Sequence, residues 1–129
     1  MISAGEALLA AAIQRLRSVK GLTGVHERAP VQAAFPHATV EVGPEVGWGH
    51  KTGLGRELRL AVIVRDKGER PERLRRLMDA AEAAVGEVEP LPEGWQIVTL
   101  NFLRSRTVRD GTSWAGVLDF RARMLAAPD

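Results

Sequence analysis

The first residues that could form a chemical site lie in the segment GWGHKTGLGR, residues 47–56. Four glycines surround a Lys51–Thr52 pair, and glycine-rich loops that end in Lys-Thr bind phosphate in nucleotide-hydrolysing proteins. A P-loop has Gly before its lysine and leads into a helix whose N-terminus receives the phosphate. Here His50 precedes the lysine, and the strand-like run RELRLAVIVRD follows. The segment is therefore interpreted as the tip of a hairpin that contacts another protein, with glycines that permit positive φ angles.

Other side chains that could catalyse a reaction or bind a metal are scattered along the chain. His26, His37 and His50 are far apart and have no acid or second histidine at metal-ligand spacing, so we expect loop histidines in solvent. The chain has no cysteine and no G-x-S-x-G nucleophile elbow. Most of its helical acids lie where they pair with neighbouring arginines. These patterns indicate a protein without catalytic residues, metal or cofactor.

Arginines near the C-terminus are the first of two surface features. Arg104 and Arg106 are two residues apart, as are Arg121 and Arg123, so each pair lies on one face of a strand. Arg109 follows near a turn. This group is either the solvated outer face of a sheet or a charged surface for a protein partner or DNA.

The tryptophans are the second feature, since tryptophan often anchors an interface. Trp48 flanks the glycine-rich segment and Trp114 follows the Asp-Gly turn at residues 110–111. Trp95 opens a strand and is interpreted as part of the core edge.

Periodicity predicts the elements that position these residues. Apolar residues at helical spacing predict helices over 4–20 and 70–86, and Ser3 is a suitable N-cap for the first. Alternation predicts strands over 38–43, 57–65, 95–105 and 113–124. The third and fourth strands flank the turn signal Val108–Thr112. The order α-β-β-α-β-β indicates an α+β fold, an antiparallel sheet with both helices on one face.

Composition sets the broad class of the protein. A chain of 129 residues with 45% hydrophobic and 26% charged side chains fits one globular domain, residues 1–129. The net charge of +2 is near neutral for this length, and no apolar run is long enough to cross a bilayer. We therefore expect a cytoplasmic protein that does not act at a membrane.

The order of these segments resembles the tail completion, or tail terminator, proteins of long-tailed phages and of phage-derived gene transfer agents. The resemblance extends from about Ala7 to Met124. It rests on ALLAAAIQRLRS, AFPHATVEVG, WGHKTGLGRELRLAVIV, ERLRRLMDAAEAAV and LNFLRSRTVRDGTSWAGVLDFRARM. The last segment is the most specific, with an Arg-x-x-Arg-Asp-Gly tip followed by Trp. His37 departs from the pattern, because an aromatic or bulkier residue is expected after Phe-Pro.

The resemblance implies a structural role. Such proteins form a ring, usually of six subunits, on the head-proximal end of the tail tube. The ring ends tube polymerisation and joins the tail to the head connector or stopper protein, and DNA passes through its channel without specific binding. The protein would assemble in the bacterial cytoplasm and become part of a phage-like particle.

The expected contacts with other subunits and with the tube lie on the glycine-rich segment and the last hairpin. They are Trp48, Lys51, Arg56, Arg104, Arg106, Arg109 and Trp114. Two alternatives remain open at this point. One is a small nucleic-acid-binding module that uses the arginine-rich sheet face, and the other is a head-side connector stopper.

Overall fold

The computed structural model describes residues 2–49, 54–88, 91 and 94–126. Within these residues the chain forms two helices and five strands. They are α1 (Ala4–Leu16), β1 (Gly24–His26), β2 (His37–Gly47), β3 (Gly55–Lys67), α2 (Glu72–Val85), β4 (Trp95–Asp110) and β5 (Ser113–Ala126). The predicted α+β class is confirmed.

The five strands form one mixed sheet in the order β1-β2-β3-β5-β4. The sequence predicted the order α-β-β-α-β-β and a wholly antiparallel sheet. Both predictions were wrong in one respect, because an additional strand, β1, precedes β2 and pairs parallel to it. This strand has three residues and lies in a segment punctuated by glycine and proline, so it is too short to produce an alternating pattern. The other strand pairs are antiparallel, as predicted.

Strand β3 lies at the centre of the sheet, between β2 and β5, as its sequence predicted. Its residues Leu58, Leu60, Val62 and Val64 are almost fully buried and define what we call the helix face of the sheet. The opposite side, which carries Glu57, Arg59, Ala61 and Arg65, is called the outer face. Even on this face Ile63 is only 8% exposed, so the middle of β3 is covered on both sides.

Both helices contact the sheet and each other. Helix α1 packs on β2 and β3, where Gly5 lies against Val42 and Leu58. Helix α2 packs on β3 and β5, where Met78 lies directly over Gly116. The apolar stripes of the two helices therefore complete a core on the helix face.

Helix α1 begins where the sequence predicted. The Ser3 hydroxyl accepts a hydrogen bond from the Glu6 backbone N–H at 3.1 Å, which confirms the N-cap. The Glu45 carboxylate accepts a second bond, from the Gly5 N–H at 3.1 Å. Because Glu45 belongs to β2, this contact fixes the start of the helix against the sheet and places an anion at the positive end of the helix dipole.

Candidate assembly surfaces

The structure distributes the predicted contact residues over three places. Trp48 and Arg56 lie at one end of the sheet, and Arg109 and Trp114 lie at the other. Arg104 and Arg106 lie between them on edge strand β4, and Lys51 falls outside the described residues. On β3, Arg56 marks the first end, and Asp66, which pairs with Trp114, marks the second. These two residues are ten positions apart, which is roughly 33 Å along a strand. These residues therefore form separate surfaces and not a single site.

The glycine-rich segment joins two paired antiparallel strands. Gly47 pairs with Arg56, and the Trp48 N–H donates to the Gly55 carbonyl at 3.0 Å. A strand and not a helix follows the segment, so a hairpin and not a P-loop is confirmed, while its contact with another protein stays a prediction. The expectation of positive φ angles was wrong for Gly55, which does not have one. Glycine is needed there for close approach, because a Cβ atom would collide with the Trp48 carbonyl oxygen.

Two contacts order the chain at this end. The Arg123 guanidinium lies 5.5 Å from the centre of the Trp48 ring, in a cation–π arrangement on the outer face. On the helix face, Arg56 Nε lies 3.3 Å from Glu45 Oε2, and the same carboxylate holds the start of α1. Arg56 is therefore half-buried and engaged within its own subunit.

At the other end, Arg109 and Trp114 clasp the hairpin tip to the β3–α2 connection. The Arg109 guanidinium lies 4.7 Å from the centre of the Trp114 ring and donates to the carbonyls of Gly68 and Gly111. The Trp114 indole N–H also donates to Gly68, at 3.0 Å. Arg109 thus points to the helix face, because it is three residues from Arg106 in an alternating strand.

We expect Arg109→Ala to lower the free energy of unfolding by about 1 kcal/mol, because one cation–π contact and two hydrogen bonds at an exposed position are lost. Urea denaturation would measure the change. Arg106→Ala is the matched control, since Arg106 makes no ion pair with any described residue and should change stability little. Equal losses of stability in the two variants would contradict a stabilising role for the Arg109 contacts.

The outer face carries the arginines that the sequence paired. Arg104 and Arg106 lie on this face of β4, and Arg121 and Arg123 on this face of β5, as predicted. Two of them have carboxylate partners, since Arg104 donates to Asp119 at 2.9 Å and Arg123 donates to Glu57 at 2.8 Å. The bond from Arg123 lowers the pKa of Glu57. The surface is therefore basic but partly neutralised by its own acids.

The histidines are placed differently from the prediction. His37 is 4% exposed, and the expectation of a solvent-exposed loop residue was wrong. Pairing of β1 with β2 brings the ring of His26 to 6.3 Å from that of His37, and the ring of Phe35 lies 5.2 Å from that of His37. Burial lowers the pKa of His37. His50 is outside the described residues.

Sequence reasoning missed an ion pair between the buried Asp66 and the half-exposed Arg73. Asp66, at the end of β3, is 2% exposed and accepts hydrogen bonds from Arg73 Nε at 2.7 Å and from the Lys67 N–H at 2.8 Å. These bonds, led by those from Arg73 and opposed in part by burial, hold the pKa of Asp66 below its ordinary value. The pair ties the end of β3 to the first turn of α2, and no spacing rule identified it.

Two further kinds of site are absent from the described residues. No group of three or more His, Asp or Glu side chains among them could hold a metal ion. Neither helix in this part of the chain has the length and apolar character that crossing a membrane requires.

Comparison with known proteins gives matches that extend along the chain. A model of the family described as tail completion protein gp17 matches residues 6–125. A chain from the structure titled "Virion of native gene transfer agent (GTA) particle" is 27% identical, with a TM-score of 0.68, and the alignment covers 98% of this chain and 100% of that one. No curated protein sequence matches. The family match runs from α1 to β5, which confirms the resemblance, and the chain belongs to the tail completion protein family.

Proposed function

We propose that this protein is a structural subunit of a phage-like particle. It forms a ring, of six subunits, on the head-proximal end of the tail tube, stops further polymerisation of the tube and joins the tail to the head connector. One observation carries the proposal. The fold matches a chain of a gene transfer agent virion over 98% of this chain and all of that chain, at 27% identity, which supports a role in such a particle.

The two ends of the sheet support a joining role. A subunit between a tube and a connector needs two different contact surfaces, one for each partner. Here the ends lie roughly 33 Å apart along β3 and differ in chemistry. One end carries Trp48 and the exposed Leu54, and the other carries the charged hairpin tip with Arg109 and Asp110.

The outer face supports passage of DNA without trapping. Strong nonspecific binding requires several lysines or arginines that are free to contact phosphates. Asp119 and Glu57 already engage Arg104 and Arg123. The same ion pairs weigh against the alternative of a nucleic-acid-binding module, because the two carboxylates reduce the net positive charge that a phosphate would meet on this face.

The test is electron microscopy of particles from a strain that lacks the gene. We expect heads without tails, together with free tubes of irregular or excessive length, because nothing ends the tube or joins it. Re-expression of the wild-type chain should restore normal particles. Normal tailed particles without the protein would exclude the proposal.

The same images separate a tail terminator from a head-side connector stopper. Loss of a stopper leaves tubes of normal length that remain unattached to heads, since tube length is set before joining. Loss of a terminator changes tube length as well. The length distribution of free tubes therefore decides between the two assignments.

A further inference from the structure

Strand β4 is an open lateral edge of the sheet. It pairs only with β5, and no described strand lies on its other side. Every residue from 101 to 110 is exposed. An edge of this length presents a row of unpaired backbone N–H and C=O groups, which natural proteins cover or use for association.

Strand β2 is open on the opposite side of the subunit. Strand β1 pairs only with His37, Ala38 and Thr39, so no described strand covers β2 from Val40 onward. A groove of about 1020 Å³ lies along this part, between Leu9 of α1, residues 26–29 and residues 39–42. The subunit thus has two unpaired edges that face away from each other.

Exposed apolar side chains concentrate on these edges. Seven large apolar residues of the described chain are exposed, and four of them lie on β4. These four are Val98, Phe102, Leu103 and Val108. Val46, 51% exposed, lies on β2. Exposed apolar side chains that cluster in this way mark surfaces that another protein covers. Their positions therefore indicate contacts at the two lateral edges of the subunit.

The charges of the two edge strands are opposite. The acids Glu41 and Glu45 are the only Asp, Glu, Lys or Arg residues in β2. Strand β4 carries Arg104, Arg106 and Arg109 against a single acid, Asp110. Glu41, Arg104 and Arg106 also lie on the outer face. Residues that pair across neighbouring strands point to the same side of the sheet, and one row of pairs runs from Glu41 through Ala61 and Asp119 to Arg104.

We propose that β4 of one copy of this chain lies against the open part of β2 in a second copy, with Arg104 and Arg106 near Glu41 of that copy. Contact between two β4 strands would bring arginines together, and contact between two β2 strands would bring glutamates together, and both are unfavourable. The charges therefore favour a head-to-tail contact over a two-fold one. Repetition of such a contact closes into a ring when the rotation permits.

This inference deepens the proposed function, since it names the contact that joins ring subunits, and it rests on that function only for closure of the ring. In a ring whose axis runs along the strands, every copy keeps the same strand directions. Strands β2 and β4 run in opposite directions, because β3 and β5 lie between them and each neighbouring pair is antiparallel. The two edges would therefore meet as an antiparallel pair. On β2 this pairing would begin at Val40, the first residue that no longer pairs with β1.

Charge reversal tests the contact in the purified full chain. Glu41→Lys and Arg106→Glu each change an exposed side chain, so the subunit should remain folded. Each variant alone should self-associate roughly tenfold more weakly than the wild type, or worse, because like charges then face each other. An equimolar mixture of the two should recover association, since residues 41 and 106 again have opposite charges at every contact between unlike copies. Sedimentation velocity measures both effects.

Disulfide trapping gives an independent readout, because the wild-type chain has no cysteine. Glu41→Cys protein is mixed with Arg104→Cys, Arg106→Cys or Val108→Cys protein and oxidised. We expect a mixed disulfide dimer with at least one of the three β4 variants. Arg59→Cys is the matched control, because Arg59 is exposed on the same face but lies on the central strand, and it should give none.

The outcomes separate this contact from the function. Mixed disulfides together with normal tails in the deletion strain would keep the contact and remove the tail function. Missing tails together with no mixed disulfide, in purified protein and in particles that carry both cysteine substitutions, would keep the function and overturn the contact. Disulfides within one β4 variant, without mixed ones, would also overturn it in favour of a two-fold pairing.

Discussion

Asp66→Asn is expected to lower the free energy of unfolding by about 2 kcal/mol at neutral pH, because the side chain loses the charge that strengthens its hydrogen bonds. Asp66 is almost fully buried and accepts from both Arg73 and the Lys67 N–H. An amide of the same shape can fill the space, so the loss reports mainly on charge. Thermal or urea denaturation of the two proteins measures it.

The same substitution predicts a dependence on pH. The pKa of Asp66 is lowered in the folded protein, so the ionised carboxylate stabilises the fold at every pH above the unfolded-state value of about 3.9. That contribution is lost as the pH falls through the folded-state pKa. The difference in stability between wild type and Asp66→Asn should therefore be full at neutral pH and shrink in acid.

Asp79→Asn is the control for this prediction. Asp79 lies on the exposed side of α2, and its removal should change stability by less than about 0.5 kcal/mol. A constant difference between wild type and Asp66→Asn from neutral pH into strong acid would contradict the assigned role of the carboxylate.

Gly55→Ala is also expected to cost about 2 kcal/mol, because the added methyl group overlaps a backbone atom that no rotamer change can move. The Cβ atom would collide with the Trp48 carbonyl oxygen and would lie 3.1 Å from Leu125 Cδ2. The strands must separate locally, which strains the Trp48–Gly55 hydrogen bond and the position of Trp48 over Arg123. Urea denaturation would measure the loss of stability, and the change in tryptophan fluorescence relative to the wild type would report the displacement of Trp48.

Gly47→Ala is the matched control on the facing strand. Gly47 pairs with Arg56 in the same hairpin, and a Cβ atom there meets nothing within 4 Å. This variant should be as stable as the wild type or slightly more stable, because alanine restricts the unfolded chain more than glycine does. If both alanine variants lost the same stability, close approach at Gly55 would not be the cause.

These two positions bear on assembly in different ways. Asp66 and Arg73 hold α2 to the end of β3 next to the hairpin tip, whereas Gly55 sets the shape of the Trp48 end. A loss of tails with Gly55→Ala at a temperature where the subunit is still folded would indicate that the Trp48 end contacts a partner. The tip end would remain intact in that variant.

Local patterns in the sequence were sufficient for much of the fold. The double-sided apolar pattern of 57–65 predicted a central strand, Ser3 predicted the start of α1, and spacing placed Arg104 and Arg106 on one face. The same rule would have placed Arg109 on the other face, since three residues separate it from Arg106. These features succeed because alternation and capping depend only on neighbouring residues.

Tertiary structure alone decided the features that depend on distant segments. Strand β1 is a strand because β2 lies beside it, and His37 is buried for the same reason. Asp66 meets Arg73 only when α2 folds back onto β3. The sequence by itself determined the family, through the resemblance of its segments to known members. It also determined the α+β class and the sides of most strands, because these follow from local periodicity and from the order of the elements. Which strands form the edges of the sheet was decided by the packing of the described chain.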